Sequence, residues 1–184
     1  MATEAERIVL TYHDYARIPS DRNRYELWEG EIQVTPAPGT AHQQVIVNLT
    51  ALLVNHVRQH QLGRVLIAPC DVLLSDITVV QPDILFVSRE RHAIVQPKYV
   101  QGAPDLVIEV LSPSTAQTDR HVKRQLYARY GVPHYWILDL KQRTAIALVL
   151  RAGAYRRVAR SCGSEPFVAP PFPDLRISLA ETWE

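Results

Sequence analysis

One apolar run with a single carboxylate at its centre constrains the fold of this chain more than any other feature. Residues 105–114 read DLVIEVLSPS, and the acid in the middle is Glu109. A continuous apolar run of this length, rich in β-branched residues and ended by Ser-Pro-Ser, predicts a buried central strand. A lone carboxylate inside such a strand is costly unless a cation, a metal or a hydrogen-bond donor meets it. We interpret Glu109 as one ligand of a metal ion that it holds together with Asp83.

Length and composition limit the class of protein. The chain has 184 residues, 47% of them hydrophobic, which is enough for one domain with a proper core. We therefore predict a single domain over residues 1–184, with its core at about residues 40–140. The net charge of +1 argues against binding of polyanions by bulk charge. No stretch is long and apolar enough to span a bilayer, and residues 1–8 lack a long apolar core, so we expect neither a membrane segment nor a signal peptide.

The cysteines indicate the compartment. Cys70 and Cys162 are far apart and show no ligand-like spacing, which supports neither a thiolate zinc site nor a disulfide framework. We therefore predict a protein of the reducing cytoplasm.

The N-terminal region predicts a short helix and a hairpin. Residues 11–18 are typical of a short helix capped by Thr11. Residues 25–34 contain two short strand-like runs on either side of Glu29 and Gly30, a pattern that predicts a β-hairpin.

A longer amphipathic helix follows. Thr40 and Gln43 fit a capping box at its start, and the pattern continues to about His60. Because His42 lies in the first turn on the face that carries the apolar positions, we expect it to point inward. The apolar positions recur every three or four residues and are Val45, Leu49, Leu52, Leu53 and Val57.

The remaining elements complete a sheet. Residues 65–74 predict a strand with an irregularity at Pro69, and residues 79–87 predict another strand that is an edge, or begins, near Pro82. After the Glu109 strand, the pattern predicts a helix that begins near Thr118 or Asp119 and stops at Gly131. Further strands are predicted at residues 134–140, 144–150 and 155–159. This order of elements predicts an α/β or α+β domain with a mixed sheet.

Two acids and one lysine form the candidate site. If the strands of Asp83 and Glu109 are neighbours, their backbones lie about 4.8 Å apart and both side chains can reach one hard cation. Mg²⁺ binds oxygen at about 2.1 Å and usually takes one or two carboxylates, with water in its other positions. A water on such a metal is more acidic than free water, so it can lose a proton and attack a phosphorus centre. Lys123, on the following helix, would orient that water or balance the charge of the leaving oxygens.

The arrangement resembles the PD-(D/E)XK nuclease superfamily, whose spacing is matched by Pro82-Asp83 and Glu109-Val110-Leu111. Over about residues 12–180 the chain also resembles the Uma family of restriction-endonuclease-like proteins, which is described largely as a domain of unknown function. The motifs that carry this resemblance are Tyr25-Glu26-Leu27 with Gly30-Glu31, His42, Pro82-Asp83, Glu109 to Ser114, Asp119 with Lys123 and Tyr127, and Gly131 to Trp136.

The resemblance implies a restriction-endonuclease-like core, flanked by an N-terminal hairpin and C-terminal strands, that cleaves DNA with a divalent metal, Mg²⁺ or Mn²⁺. Asp83 and Glu109 match the metal carboxylates of the family. The superfamily lysine two residues after the glutamate is Leu111 here. In this family a lysine on the following helix takes over, and Lys123 matches that position.

Four further residues are candidates. Glu26 and His42 match positions of the family, where Glu26 would complete the metal shell and His42 would contact a phosphate or carry a proton. Arg120 and Arg124, on the helix of Lys123, fit a patch that contacts nucleic-acid phosphates, and they equally fit a solvated helix face.

Plainer interpretations remain open. Asp83 follows a proline and fits a turn, while Glu109 and Lys123 fit a structural ion pair without a metal. His42 fits an inward-facing histidine with a satisfied ring, and Glu26 fits a cross-strand partner of an arginine. The aromatic residues that fit a core better than a base-stacking platform are Tyr127, Tyr130, Tyr135 and Trp136.

Three functions are consistent with these residues. The first is a metal-dependent nuclease acting on DNA. The second is a non-catalytic module that binds nucleic acid or protein on the same core, which Leu111 and the near-neutral charge favour. The third is a metal phosphoesterase acting on smaller substrates. Cutting both strands of a duplex favours a symmetric pair, so we predict a homodimer, whereas no base-reading helix is recognisable and sequence specificity is not predicted.

Overall fold

Two β-sheets and one long helix dominate the computed structural model, which describes residues 8–19, 21, 23–35, 37–111 and 119–184. The helices are α1 Tyr12–Tyr15, α2 Thr40–Gln59, α3 Arg124–Arg129 and α4 Leu179–Trp183, with a 3₁₀ helix at Arg89–Ile94 and a π-helical turn at Asp119–Lys123. The strands are β1 Arg24–Trp28, β2 Glu31–Thr35, β3 Gly63–Ile67, β4 Val72–Ser75, β5 Thr78–Val80, β6 Ile84–Ser88, β7 Val100–Gln101, β8 Leu106–Leu111, β9 His134–Asp139, β10 Thr144–Arg151, β11 Ala154–Cys162, β12 Pro166–Ala169 and β13 Phe172–Ser178. None of the helices within these ranges is long and apolar enough to cross a membrane.

The larger sheet has six strands in the order β11-β10-β9-β8-β6-β3. Strands β8 and β9 run parallel, and the other neighbours are antiparallel, so the predicted mixed sheet is confirmed. All six residues of β8 are buried, as its apolar sequence requires, and this central strand therefore holds Glu109 inside the protein.

The second sheet has five strands in the order β2-β1-β5-β4-β7. Its first two strands form the predicted hairpin, in which Glu26 pairs with Gln33. The turn places Glu29 at φ 50° and Gly30 at φ 84°, conformations that suit a tight turn and favour glycine. This hairpin carries Glu26 towards the six-stranded sheet.

Helix α2 packs its apolar stripe against the six-stranded sheet, in one core with β8, β9 and the C-terminal strands. His42 is 6% exposed and lies on this buried face. The predicted capping box is wrong, because the helix starts one residue earlier than expected. Gly39 is the extended N-cap, and its carbonyl accepts from the backbone N–H of Gln43. Thr40 is already helical, so its side chain does not cap that N–H.

Two predicted strands are each divided between the two sheets. The segment predicted at residues 65–74 forms β3 and β4, and the segment predicted at residues 79–87 forms β5 and β6. Pro69 and Pro82 lie at the breaks, where a residue without an N–H interrupts the ladder at least cost. The second break has a functional consequence, because it places Asp83 where the chain crosses from one sheet to the other.

The predicted helix after the Glu109 strand exists, although its start lies outside the described residues. Residues 112–118 belong to that gap, and the described part begins with the π-helical turn and continues as α3. Gly131, at φ 78°, follows the end of this helix as predicted.

Candidate active site

Asp83 and Glu109 lie side by side across two strands. Asp83 directly precedes β6, whose first residue, Ile84, pairs with Ile108 of β8. In an antiparallel pair, the next position along places Asp83 opposite Glu109. Asp83 Oδ2 accepts the backbone N–H of Val110 at 2.8 Å. The two carboxylates are 2% and 4% exposed, respectively.

Asp83 is surrounded by donors. Nη1 of Arg24 donates to its Oδ1 at 2.9 Å, and Nε2 of His42 lies 3.2 Å from its Oδ2. Burial opposes the charge on Asp83, but the hydrogen bond from His42 and the charge of Arg24 outweigh it and lower the pKa of Asp83 to about 2. This carboxylate is therefore ionised at neutral pH.

The pKa of Glu109 is shifted in the opposite direction to that of Asp83. Its Oε1 accepts from Nζ of Lys123 at 3.0 Å and from the hydroxyl of Tyr127 at 2.6 Å. Burial nevertheless raises the pKa of Glu109 to about 7, with Lys123 opposing the shift and the charge of Asp83 adding to it. Two adjacent acids thus have pKa values on opposite sides of their usual range.

Lys123 connects a third acid, Glu26, to the pair of Asp83 and Glu109. Its Nζ lies 3.2 Å from Oε1 of Glu26, as well as 3.0 Å from Glu109. The same oxygen of Glu26 accepts the backbone N–H of Gln81 at 2.6 Å. Lys123 and Glu26 are 4% and 1% exposed, so the lysine bridges the hairpin and the central strand inside the protein.

A second layer of hydrogen bonds supports Glu26. The side chain of Gln81 donates to Oδ1 of Asp71 at 2.7 Å and to the hydroxyl of Tyr15 at 3.1 Å. The Tyr15 hydroxyl donates in turn to Asp71 at 2.8 Å. This network fixes the backbone of Gln81, whose N–H contacts Glu26, and connects α1 to the candidate site.

A cleft of about 500 Å³ opens beside Asp83. Its wall is formed by α1, the first hairpin strand, the start of α2 and the segment around Pro69. The polar side chains along it include Tyr15, Arg24, Asp71, Gln81 and Asp83. A polar ligand that enters this cleft therefore meets Arg24 and Asp83 together.

Of the predicted site residues, the structure brings together Asp83, Glu109, Lys123, Glu26 and His42. It does not place the two candidate arginines there. Nη2 of Arg124 donates to the carbonyl oxygen of Tyr155 at 3.0 Å, so this guanidinium contacts β11. The side chain of Arg120 lies outside the part of the chain that the structure describes.

Two residues of the cluster were missed from the sequence. Arg24 stands two positions before Glu26 on one strand, a spacing that puts both on the same face. Tyr127 stands four positions after Lys123 on one helix face, but it was assigned to the core. Both spacings were visible, yet neither indicates that the polar end of the side chain reaches a carboxylate.

The chemistry of the cluster fits a hard divalent cation. Three buried carboxylates, Glu26, Asp83 and Glu109, face two basic side chains, Arg24 and Lys123. The excess negative charge and the raised pKa of Glu109 are what a further cation would relieve. Among the described residues no group of three or more His, Cys, Asp or Glu side chains is arranged to hold a metal. One or two carboxylates completed by water suit Mg²⁺ or Mn²⁺, whereas a site made only of protein ligands does not fit.

Comparison with known proteins identifies a structure with a similar fold and the family of this chain. No curated protein matches the chain. A crystal structure described as "a putative nuclease belonging to DUF820", from Anabaena variabilis, matches with a TM-score of 0.77 and 19% sequence identity, over 95% of this chain and 97% of that chain. This likeness confirms the predicted fold class. The model of the Uma2 family, described as "Putative restriction endonuclease", matches residues 12–180. The chain therefore belongs to the Uma2 family, as the motifs around Glu109 predict.

Proposed function

We propose that this protein is a divalent-metal-dependent endonuclease that hydrolyses phosphodiester bonds in DNA. The observation that carries the proposal is the shared ammonium group of Lys123, which contacts Glu26 and Glu109 while Asp83 lies beside Glu109. The description of the Uma2 family agrees with this chemistry.

The cation would be held by Asp83 and Glu109, with Glu26 next to them. Mg²⁺ and Mn²⁺ both accept a pair of carboxylates with water in the remaining positions. When bound, such a cation lowers the pKa of a coordinated water and withdraws charge from the phosphate.

The side chains of the cluster have separable roles in this proposal. Lys123 places a positive charge next to the two glutamates, where it would stabilise negative charge that develops on the phosphate oxygens. His42 holds Oδ2 of Asp83, and Tyr127 holds Oε1 of Glu109, so each carboxylate keeps its orientation. We assign His42 this positioning role, since its Nε2 is already engaged by Asp83.

Cleavage of supercoiled plasmid with Mg²⁺ or Mn²⁺ tests the proposal. We expect nicked and linear products from the wild-type protein, and loss of cleavage in Asp83→Asn and Glu109→Gln. Asp105→Asn is a matched control. Asp105 directly precedes β8, the strand of Glu109, and it pairs with Arg91 at 3.0 Å, as Asp83 pairs with Arg24. Circular dichroism verifies that all three variants are folded. Absence of cleavage by the wild type with either metal rejects the proposal.

A non-catalytic binding module is the second candidate. Two observations favour it: Leu111 replaces the superfamily lysine, and both oxygens of Asp83 already accept hydrogen bonds from protein groups. This candidate predicts no heat of Mg²⁺ or Mn²⁺ binding in calorimetry, and DNA binding that Glu109→Gln leaves unchanged. Metal binding that Glu109→Gln abolishes excludes it.

The oligomeric state and the cellular compartment of the protein remain predictions. We propose a homodimer, since a two-fold pair presents two sites to the two strands of a duplex. Sedimentation at micromolar concentration distinguishes a dimer from a monomer. The single domain over residues 1–184 and the cytoplasmic location likewise stay predictions from the sequence.

A further inference from the structure

The two terminal nitrogens of the Arg24 guanidinium are used differently. Its Nη1 donates to Oδ1 of Asp83 at 2.9 Å. Its Nη2 is buried, lies 3.9 Å from Oε1 of Glu26 and makes no hydrogen bond within the described part of the chain. A buried guanidinium N–H without an acceptor is costly, and such groups are rare in proteins.

Arg91 shows what a fully engaged arginine looks like in the same protein. Its Nη1 donates to Asp105 at 3.0 Å, and its Nη2 donates to the carbonyl oxygen of Ala103 at 2.7 Å. Both arms of that guanidinium therefore have acceptors, whereas Arg24 uses one arm to hold a carboxylate and keeps the other arm without a described acceptor.

The surroundings of Arg24 indicate which acceptor it suits. The side chain is 18% exposed and lines the cleft beside Asp83. Burial opposes its charge, but Glu26 and Asp83 raise the pKa of Arg24 above its usual value, so it is cationic at neutral pH. A planar guanidinium fixed by one arm matches the oxygens of a phosphate better than an ammonium does.

We propose that Arg24 is a substrate-binding residue, which donates a hydrogen bond to a non-bridging oxygen of the phosphodiester that lies in the cleft beside Asp83. The inference rests on the proposed function and adds a specific contact to it. Asp83 then has two tasks, because it orients the arginine as well as facing the cation.

The slope of DNA affinity against salt tests this contact independently of cleavage. Each phosphate contact by a cationic side chain contributes about 0.9 to the slope of log K against log salt concentration for duplex DNA. Fluorescence anisotropy measures binding of a labelled duplex at KCl concentrations of about 50 to 200 mM, a range over which the affinity of phosphate contacts changes strongly. Ca²⁺ replaces Mg²⁺ in these measurements. We expect Arg24→Gln to reduce the slope by about one, and Arg91→Gln to leave it unchanged.

Arg24→Lys separates charge from geometry. It keeps a cation, so we expect a slope like that of the wild type, but it lacks the planar fork, so cleavage falls by about ten-fold or more. An unchanged slope in Arg24→Gln, with cleavage by the wild type intact, overturns the role of Arg24 alone. Wild-type protein that binds DNA with the expected slopes but cuts nothing rejects hydrolysis alone. Wild-type protein that binds no DNA overturns the role of Arg24.

Discussion

Nζ of Lys123 lies 3.0 Å from Oε1 of Glu109, although the two residues belong to different elements, a helical turn and the central strand. The strand itself carries Leu111 two positions after the glutamate, and that side chain is buried in an apolar cluster with Tyr127 and Tyr135. The positive charge next to Glu109 therefore comes from the turn that precedes α3. Because Lys123 also contacts Glu26, one ammonium group serves two carboxylates.

Removing this ammonium should be costly in the metal-free protein. We expect Lys123→Met to lower the free energy of unfolding by about 3 kcal/mol at pH 8, since breaking a buried ion pair leaves uncompensated charge. Addition of Mg²⁺ should recover part of the loss by supplying a cation to the same carboxylates. Urea unfolding with and without Mg²⁺ measures both effects. Lys141→Met, at an exposed turn, should change the stability by no more than about 0.5 kcal/mol; equal effects of the two substitutions contradict the prediction.

The stability of the metal-free protein should depend on pH in two opposite ways. Asp83 has a pKa lowered to about 2, so its contribution is present above pH 3.8 and is lost as the pH falls towards 2. Glu109 has a pKa raised to about 7, so the stability it contributes is present below pH 4.5 and is lost as the pH rises through 7. One pKa unit corresponds to about 1.4 kcal/mol. Both pKa values of Asp83 lie below pH 5, so Glu109 alone makes the metal-free protein about 2–3 kcal/mol less stable at pH 8 than at pH 5.

Glu109→Gln supplies the control for this pH dependence. A glutamine cannot ionise, so the variant should lose most of the difference between pH 5 and pH 8. Urea unfolding in EDTA at the two pH values provides the measurement. Equal stability of the wild-type protein at the two pH values would show that Glu109 is ionised without cost, which contradicts the raised pKa of this carboxyl group.

The hydroxyl of Tyr127 should strengthen binding of the cation. It donates to Oε1 of Glu109 at 2.6 Å and favours the ionised carboxylate. A hydrogen bond to a charged group is worth about 1.5–3 kcal/mol, so Tyr127→Phe should weaken Mn²⁺ binding about ten-fold or more in calorimetry. Tyr155→Phe is matched, because Tyr155 is also buried and donates to the carbonyl oxygen of Val132 at 2.7 Å. If both variants bind Mn²⁺ alike, Tyr127 has no part in the site.

Much of the fold was predictable because local chemistry decides it. The apolar run around Glu109 specifies a buried strand, and the turn at Glu29 and Gly30 specifies a hairpin. The division of two predicted strands between two sheets was not predictable. Pro69 and Pro82 show where pairing is interrupted, but only tertiary packing decides that the chain changes sheets there.

The positions of the acids followed from the pattern, whereas their partners did not. The sequence predicts Asp83 and Glu109 on two strands, without deciding that these strands are neighbours, and Lys123 on the following helix. Arg24 was missed, because its sequence context does not indicate that its side chain crosses to Asp83, 59 positions away. Contacts of this length depend on how the two sheets pack, and periodicity within one element carries no information about them.

Tyr130 joins the hairpin to the helix that follows Lys123, and its loss should loosen that connection. Its hydroxyl lies 2.8 Å from Oε1 of Glu29, 3.0 Å from Oγ1 of Thr78 and 3.0 Å from Oγ of Ser75. Tyr130→Phe leaves these groups without their shared partner, so we expect a loss of about 1–3 kcal/mol in the free energy of unfolding. Amide exchange in the hairpin should become faster, since its turn loses an anchor.

The control for Tyr130 is a tyrosine on the hairpin itself. The hydroxyl of Tyr25 donates to Oδ2 of Asp21 at 2.7 Å in an exposed position, where a lost hydrogen bond is replaced by water. Tyr25→Phe should therefore change the stability by no more than about 0.5 kcal/mol, with amide exchange like that of the wild type. Because Glu26 is on the hairpin and Lys123 precedes α3, Tyr130→Phe should also reduce cleavage, whereas Tyr25→Phe should not. Equal exchange rates in the two variants would show that Tyr130 does not anchor the hairpin.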